Sequence, residues 1–211
     1  RPMPSQRTLL LAHRYQHQVE ELLDLYYEHG ARFEVPCQAL PGLCRWLGWK
    51  LTFSIPPQDR WSECDPLRKE IRITKDLRSR IEFPGRARAI AHACIAMELA
   101  HAILHSAQFS TRQSRRNLAR WNFEARLFAC VLLCPWRLLS ARPEIAALRS
   151  NSLTQRQRWQ RLHRLAEDFG TTPSFMFSAL VLHGVLERRP EGGIQAPCVL
   201  AIHARSFQPA A

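Results

Sequence analysis

The stretch 86–105, RARAIAHACIAMELAHAILH, limits what this chain can fold into more than any other part of it. It contains neither Gly nor Pro and is rich in Ala, so it predicts an uninterrupted helix of about five turns. Within 90–104 only His92, Glu98 and His101 are strongly polar. A helix that is apolar on nearly every side has to be buried on nearly every side, and we therefore expect it at the centre of the fold.

The remaining patterns predict further helices and a small sheet, and hence a mostly helical α+β fold. Helical spacing of apolar residues or helix-forming composition marks 6–29, 37–47, 115–133, 154–169 and 173–186, whereas alternation marks strands at 49–55, 69–74 and 198–203. Residues 58–68 read as a loop. We expect an N-terminal helix within 1–35, one domain over 36–190 and a C-terminal extension over 191–211.

The composition is that of an ordinary globular protein. The chain has 211 residues, 46% of them hydrophobic, and no apolar run of the roughly 18 residues that span a bilayer. The apolar part of its N-terminus is too short for a signal peptide. The seven Cys form no CxxC pair and mostly lie in apolar stretches, as buried free thiols do. These features predict a soluble protein of the cytoplasm with no membrane partner.

The basic residues are concentrated in one segment. Residues 112–164 contain 12 Arg against Glu124 and Glu144, in a chain with 30 basic and 18 acidic residues. Such an excess attracts nucleic acid or an acidic protein surface, although solvated helix faces of an arginine-rich protein would look the same. No recognised nucleic-acid motif accompanies them. The candidate binding residues are Arg112, Arg115, Arg116, Arg120, Arg158, Trp159, Arg161 and Arg164.

The central helix carries a pattern close to that of a zinc peptidase. Such a helix places two His four residues apart as metal ligands, with a Glu beside the first as general base. Here Met97, Glu98 and His101 occupy these positions. A thioether is a poor zinc ligand, so the first position has lost its function.

The chain resembles the ImmA/IrrE family of zinc metallopeptidases, whose members cleave helix-turn-helix repressors in phage-like elements and stress responses. The resemblance extends over most of 36–186 and rests on LCRWLGWKLTF, EIRIT, ARAIAHACIAMELAHAILH, FEARLFACVLLCP and LAEDFGTTPSFMFSALVLHGVL. It implies a zincin-type domain with the small sheet packed on the Met97-Glu98-x-x-His101 helix.

Carried over position by position, the resemblance implies a degenerate metal site. Met97 falls on the first metal ligand, Glu98 on the general base, His101 on the second ligand and Asn122 on the third, which is a Glu in the family. Glu124 is two residues further along a helix, a rotation of roughly 200°, so we expect it to point away from the buried stripe.

Two other arrangements would supply a different metal ligand. If ACIAM were an insertion, His92 would become the first ligand, but only with a break in the helix. Alternatively, His101 and His105, which are spaced i and i+4 on the helix, would coordinate a metal ion together. For Glu98 we weigh a remnant network with His101 and Asn122 against a structural salt bridge to an Arg.

The sequence therefore predicts a pseudoenzyme that works by binding a protein, with no cofactor. Its partner would be a repressor or a component of a mobile element or defence system. The alternatives are an active zinc endopeptidase that cleaves a helix-turn-helix repressor, a basic subunit of a nucleoprotein complex, and a structural scaffold.

Overall fold

The computed structural model describes residues 6–28, 36–54, 61–75, 86–108, 114–150, 152–188 and 194–195. These residues are mostly helical with a small mixed sheet, which confirms the α+β class. The elements are α1 (Gln6–Glu28), α2 (Pro36–Trp46), β1 (Lys50–Ser54), β2 (Ser62–Asp65), β3 (Glu70–Thr74), α3 (Arg86–His105), α4 (Ser114–Leu133), α5 (Trp136–Ser140), α6 (Pro143–Arg149), α7 (Gln155–Asp168), α8 (Pro173–Leu182), β4 (Glu187–Arg188) and β5 (Ile194–Gln195). Among these elements no helix has the length and hydropathy needed to cross a bilayer.

Helix α3 lies at the centre of the core, as its apolar composition predicts. Ala91, Ile95 and Leu99 are fully buried, and α2, β2, β3 and α4 all pack on the helix. Side chains of every described helix from α1 to α8 join the same hydrophobic core. The long central helix is therefore the surface on which the other elements assemble.

The sheet covers one side of α3 in the order β1-β3-β2, with β1 parallel and β2 antiparallel to β3. On the central strand Ile71 and Ile73 are fully buried. Arg72 lies on the other face of the sheet, where its Nη2 is 2.9 Å from Oδ2 of Asp65. The prediction of a loop over 58–68 is wrong for β2. The alternation of apolar and polar residues that marks a strand is weak in β2. Its outward positions carry acidic residues, but its inward positions are a Ser and a Cys rather than large apolar residues.

Helix α1 packs on α4 as part of the common core. The rings of Tyr15 and Phe128 meet edge to face at 5.7 Å between centroids, and Arg137 donates to Asp24 across 2.6 Å. The short strands β4 and β5 pair with each other beyond α8. The strand predicted over 198–203 lies outside the described residues.

Helix α4 buries a narrower stripe than its sequence predicts. Trp121, Ala125 and Phe128 are buried, but Leu118 is 48% exposed and Asn122 is exposed too. The helical spacing of residues within 115–133 predicts both Leu118 and Asn122 on the buried stripe, and this prediction is wrong. At 100° per residue they lie 60° and 100° around the helix from Trp121, toward the same edge of the stripe.

Arg158 is not a surface cation, which corrects its assignment to the basic binding face. It is 4% exposed, and its Nη1 and Nη2 donate to the carbonyl oxygens of Leu148 and Ser150 at 2.7 and 2.6 Å. These oxygens lie at the C-terminal end of α6, where carbonyls lack partners within the helix and carry partial negative charge. Arg158 therefore joins α7 to α6.

Replacing Arg158 with Met should lower the free energy of unfolding by about 2 to 3 kcal/mol, because one buried and one partly buried carbonyl oxygen lose charged donors. Arg156→Met, on the exposed side of the same helix, should change it by no more than about 0.5 kcal/mol. Urea unfolding followed by circular dichroism measures both. Equal losses in the two variants would contradict the structural role of Arg158.

Candidate functional site

The central site surrounds the turn of α3 between residues 97 and 101. It consists of Met97, Glu98 and His101 on α3, Ser62 on β2 and Asn122 on α4. Met97 is partly buried and packs against the hydrophobic core. Strand β2 and helix α4 thus supply polar partners to the same turn of a buried helix.

Glu98 is held by the sheet. The Ser62 hydroxyl donates to Glu98 Oε1 at 2.8 Å, and it also hydrogen-bonds the thiol of Cys94, one turn earlier on α3. A carboxylate in an apolar helix requires such a partner. The sequence indicates His101, Asn122 or an Arg for this role and gives no sign of Ser62, because its pattern predicts a loop over 58–68.

Two thiols lie close to the Glu98 carboxylate. Burial, reinforced by the negative charge of Glu98, raises the pKa of Cys64 to about 12. Burial also raises the pKa of Cys94 to about 11. Both remain protonated at neutral pH and are therefore neither nucleophiles nor ready-made thiolate ligands.

His101 hydrogen-bonds the side chain of Asn122, a contact that belongs to one of the two arrangements weighed for Glu98 from the sequence. Its side chain is buried, and burial together with the neighbouring His105 lowers its pKa to about 4. His101 is thus neutral at physiological pH. Asn122 remains exposed on its other side, so this amide is the part of the site that is open to a partner.

His105 belongs to a separate ion-paired cluster. Its ring is 2% exposed, it stacks on Trp121 at 5.3 Å, and its Nε2 lies 3.0 Å from Glu124 Oε2. Arg120 donates to the other oxygen of Glu124 at 2.7 Å. The expectation that Glu124 points away from the buried stripe is wrong, because its carboxylate reaches His105 at the end of α3 and its side chain is only 12% exposed. The sequence also gave no sign of the part played by Trp121.

The residues at the three ligand positions do not fit a zinc ion. They offer a thioether from Met97, an amide from Asn122 and only one imidazole, from His101, whereas zinc requires at least three His, Cys or carboxylate donors. Within the described ranges, no three His, Cys, Asp or Glu side chains are grouped so that they could hold a metal. His101 and His105 by themselves would supply two imidazoles, which is fewer than the three donors that zinc requires.

The alternative with His92 as first ligand is wrong. Helix α3 runs unbroken from Arg86 to His105, so His92 and His101 stay nine residues apart along it. His92 is 3% exposed, and its Nδ1 lies 2.9 Å from the carbonyl oxygen of Gly170. It joins α3 to the turn between α7 and α8.

The candidate basic residues do not form one surface. Arg120 is paired with Glu124, and Arg158 is buried. Arg112 and the side chains of Arg115 and Arg116 lie outside what the structure describes. The remaining candidates are Trp159, Arg161 and Arg164, which all lie on α7; Trp159 and Arg164 are exposed, and Arg161 is partly exposed.

Comparisons with known proteins add no relative: no family model matches the chain, and no curated protein or solved structure matches it significantly. The resemblance to the ImmA/IrrE family therefore stays a prediction from the residues.

Replacing Glu124 with Gln should lower the free energy of unfolding by about 1 to 2 kcal/mol at pH 7, because charged hydrogen bonds to His105 and Arg120 are weakened. Burial alone would raise the pKa of Glu124, but these hydrogen bonds outweigh it, and the pKa lies below the ordinary 4.5. The difference should therefore persist above pH 4.5 and vanish as the pH falls through the folded pKa.

Urea unfolding of both proteins across this pH range measures the effect. Glu167→Gln, at an exposed position of α7, is the matched control and should show no such dependence. A loss that stays constant into acid would show that the charge of Glu124 is not what stabilises the cluster.

Proposed function

We propose that this chain is a catalytically degenerate, metallopeptidase-like protein that acts by binding a protein segment. The observation that carries the proposal is the composition of the central site. Glu98 and His101 occupy the positions of a peptidase base and ligand, whereas Met97 and Asn122 replace the ligands needed to hold zinc. Without a metal-bound water no nucleophile is generated in this way, so the site is suited to recognition rather than cleavage.

The open edge of β2 supports a binding role. In the described part of the sheet β2 has a neighbour on one side only. The amide of Thr74 donates to the carbonyl of Trp61 at 2.9 Å, and bonded pairs alternate along an antiparallel ladder. The backbone groups of Glu63 therefore face β3, and those of Ser62 and Cys64 face the edge.

An extended peptide can pair with such an edge as an added strand. Because the Ser62 side chain contacts Glu98, a peptide paired with β2 would run beside the central site. Main-chain hydrogen bonds would supply affinity, and side-chain contacts with the central site would supply selectivity.

The regulatory role and the kind of partner follow from the family resemblance. A repressor, or a component of a mobile element or defence system, is the partner that this resemblance suggests. The active alternative, a zinc endopeptidase that cleaves a helix-turn-helix repressor, differs by one property that can be measured directly, which is stoichiometric zinc.

Restoring the ligands should restore the metal. The double variant Met97→His, Asn122→Glu should bind about one zinc per chain, because it presents two imidazoles and a carboxylate at the family's ligand positions. The unmodified protein should hold far less. Metal analysis after dialysis against zinc measures both, and Met97→Leu with Asn122→Gln controls for packing changes.

Two results would contradict this assignment. Stoichiometric zinc in the unmodified protein, together with casein cleavage that Glu98→Gln abolishes, would establish the active alternative. A correctly folded double variant that gains no zinc would show that the metallopeptidase positions were assigned to the wrong residues.

Peptide binding at the edge of β2 is tested with peptides that are selected from a random phage-displayed library for binding to the unmodified protein. Cys64→Pro should reduce their binding at least tenfold, because proline removes an outward N–H, whereas Cys64→Ala keeps that donor and should bind normally. Titration by fluorescence anisotropy measures both.

If Cys64→Pro does not fold, hydrogen exchange of the unmodified protein gives the answer. Bound peptide should slow exchange of the Ser62 and Cys64 amides. Selected peptides that bind both variants equally, or that leave these amides unprotected, would place binding elsewhere.

A further inference from the structure

The exposed side of α7 carries a basic and aromatic surface that the proposed function does not use. It is formed by Arg156, Trp159, Gln160, Arg161 and Arg164, and we call it the α7 face. Two open depressions lie along it, of about 680 and 350 Å³, and both are lined by Gln160 and Arg164.

The three arginines of this face are not neutralised within the described structure. None of them forms an ion pair with a described carboxylate, in contrast to Arg72, Arg120 and Arg137, which all do. Glu144 and Glu167 also line the depressions but remain unpaired with these arginines. The guanidinium groups are therefore available to an external anion, toward which the formal charge of +12 steers the whole protein.

In the first depression Trp159 lies with Arg156 and Arg164, whereas Arg161 lines only the second depression. Neighbouring rings support part of the Trp159 indole. It is 38% exposed, and its ring lies 6.4 Å from Phe177 and 6.3 Å from His163 between centroids. Because its neighbours hold part of the indole in place, ordering the rest against a flat ligand requires little additional loss of freedom. An exposed indole beside the guanidinium groups of Arg156 and Arg164 is suited to stack on a nucleobase while the arginines along the face contact phosphates.

We infer that the α7 face binds single-stranded nucleic acid, with a base stacked on Trp159 and phosphates held by Arg156, Arg161 and Arg164. A duplex does not present its bases for stacking, and an acidic peptide presents carboxylates but no ring system of this kind. The fixed position of α7 is maintained by Arg158 on its opposite side, so recognition and structure use different arginines of one helix.

The test is binding of a fluorescein-labelled, mixed-sequence single-stranded RNA to the full chain, measured by anisotropy. If three phosphates are neutralised, a plot of the logarithm of the association constant against the logarithm of the salt concentration should have a slope near −2. Affinity should then fall about twentyfold between about 50 and 200 mM salt. Arg161→Gln with Arg164→Gln should reduce this loss to about threefold.

Variants of the ring and of the carboxylates test the face independently. Trp159→Ala should weaken binding about fivefold or more, whereas Trp61→Ala, which removes an exposed tryptophan near β2, should not. Glu144→Gln with Glu167→Gln should strengthen binding, because two like charges are removed from the path of the phosphates. Arg14→Gln with Arg45→Gln, exposed positions on α1 and α2, controls for net charge.

The inference is supported if the single strand binds with this slope and depends on Trp159 but not Trp61. It is overturned if the RNA does not bind, if the control variants weaken binding as much as those of the α7 face, or if duplex binds as tightly as single strand. The inference is also overturned, in favour of an acidic protein partner, if polyglutamate displaces the labelled RNA as well as unlabelled RNA does and Trp159→Ala has no effect on RNA binding.

Discussion

The structure depends on the burial of α3 on nearly all sides. Helix α3 lacks a polar face, so its free energy is favourable only when α2, α4 and the sheet cover it together. Residues such as Ile95, Leu99 and Ala100 have no exposed surface, and small side chains let the surrounding elements approach closely. Because these elements come from distant parts of the chain, the core forms only when they assemble around one helix.

Burial of this helix also explains its polar residues, since each needs a partner supplied by another element. His92 is bonded by the turn after α7, Glu98 by β2, and His101 and His105 by α4. The same contacts that make α3 stable therefore define the central site.

Helix α7 shows how position alone divides one residue type between two roles. Arg158 is directed inward and holds the end of α6, whereas Arg156 and Arg164 are exposed on the outer side of the helix. A count of charges along the segment treats all of them alike. Only their placement separates cations that hold the fold together from cations that remain available to an anion.

The sequence by itself determined the central helix, most of the other helices, strands β1 and β3, and the presence of poor zinc ligands at Met97 and Asn122, because periodicity and residue chemistry are local properties. The tertiary structure alone decided that β2 is a strand, that Glu124 reaches His105, that Asn122 is exposed and that Arg158 is buried. Each of these depends on where two elements cross, and crossing is fixed by side-chain packing between segments far apart in the chain.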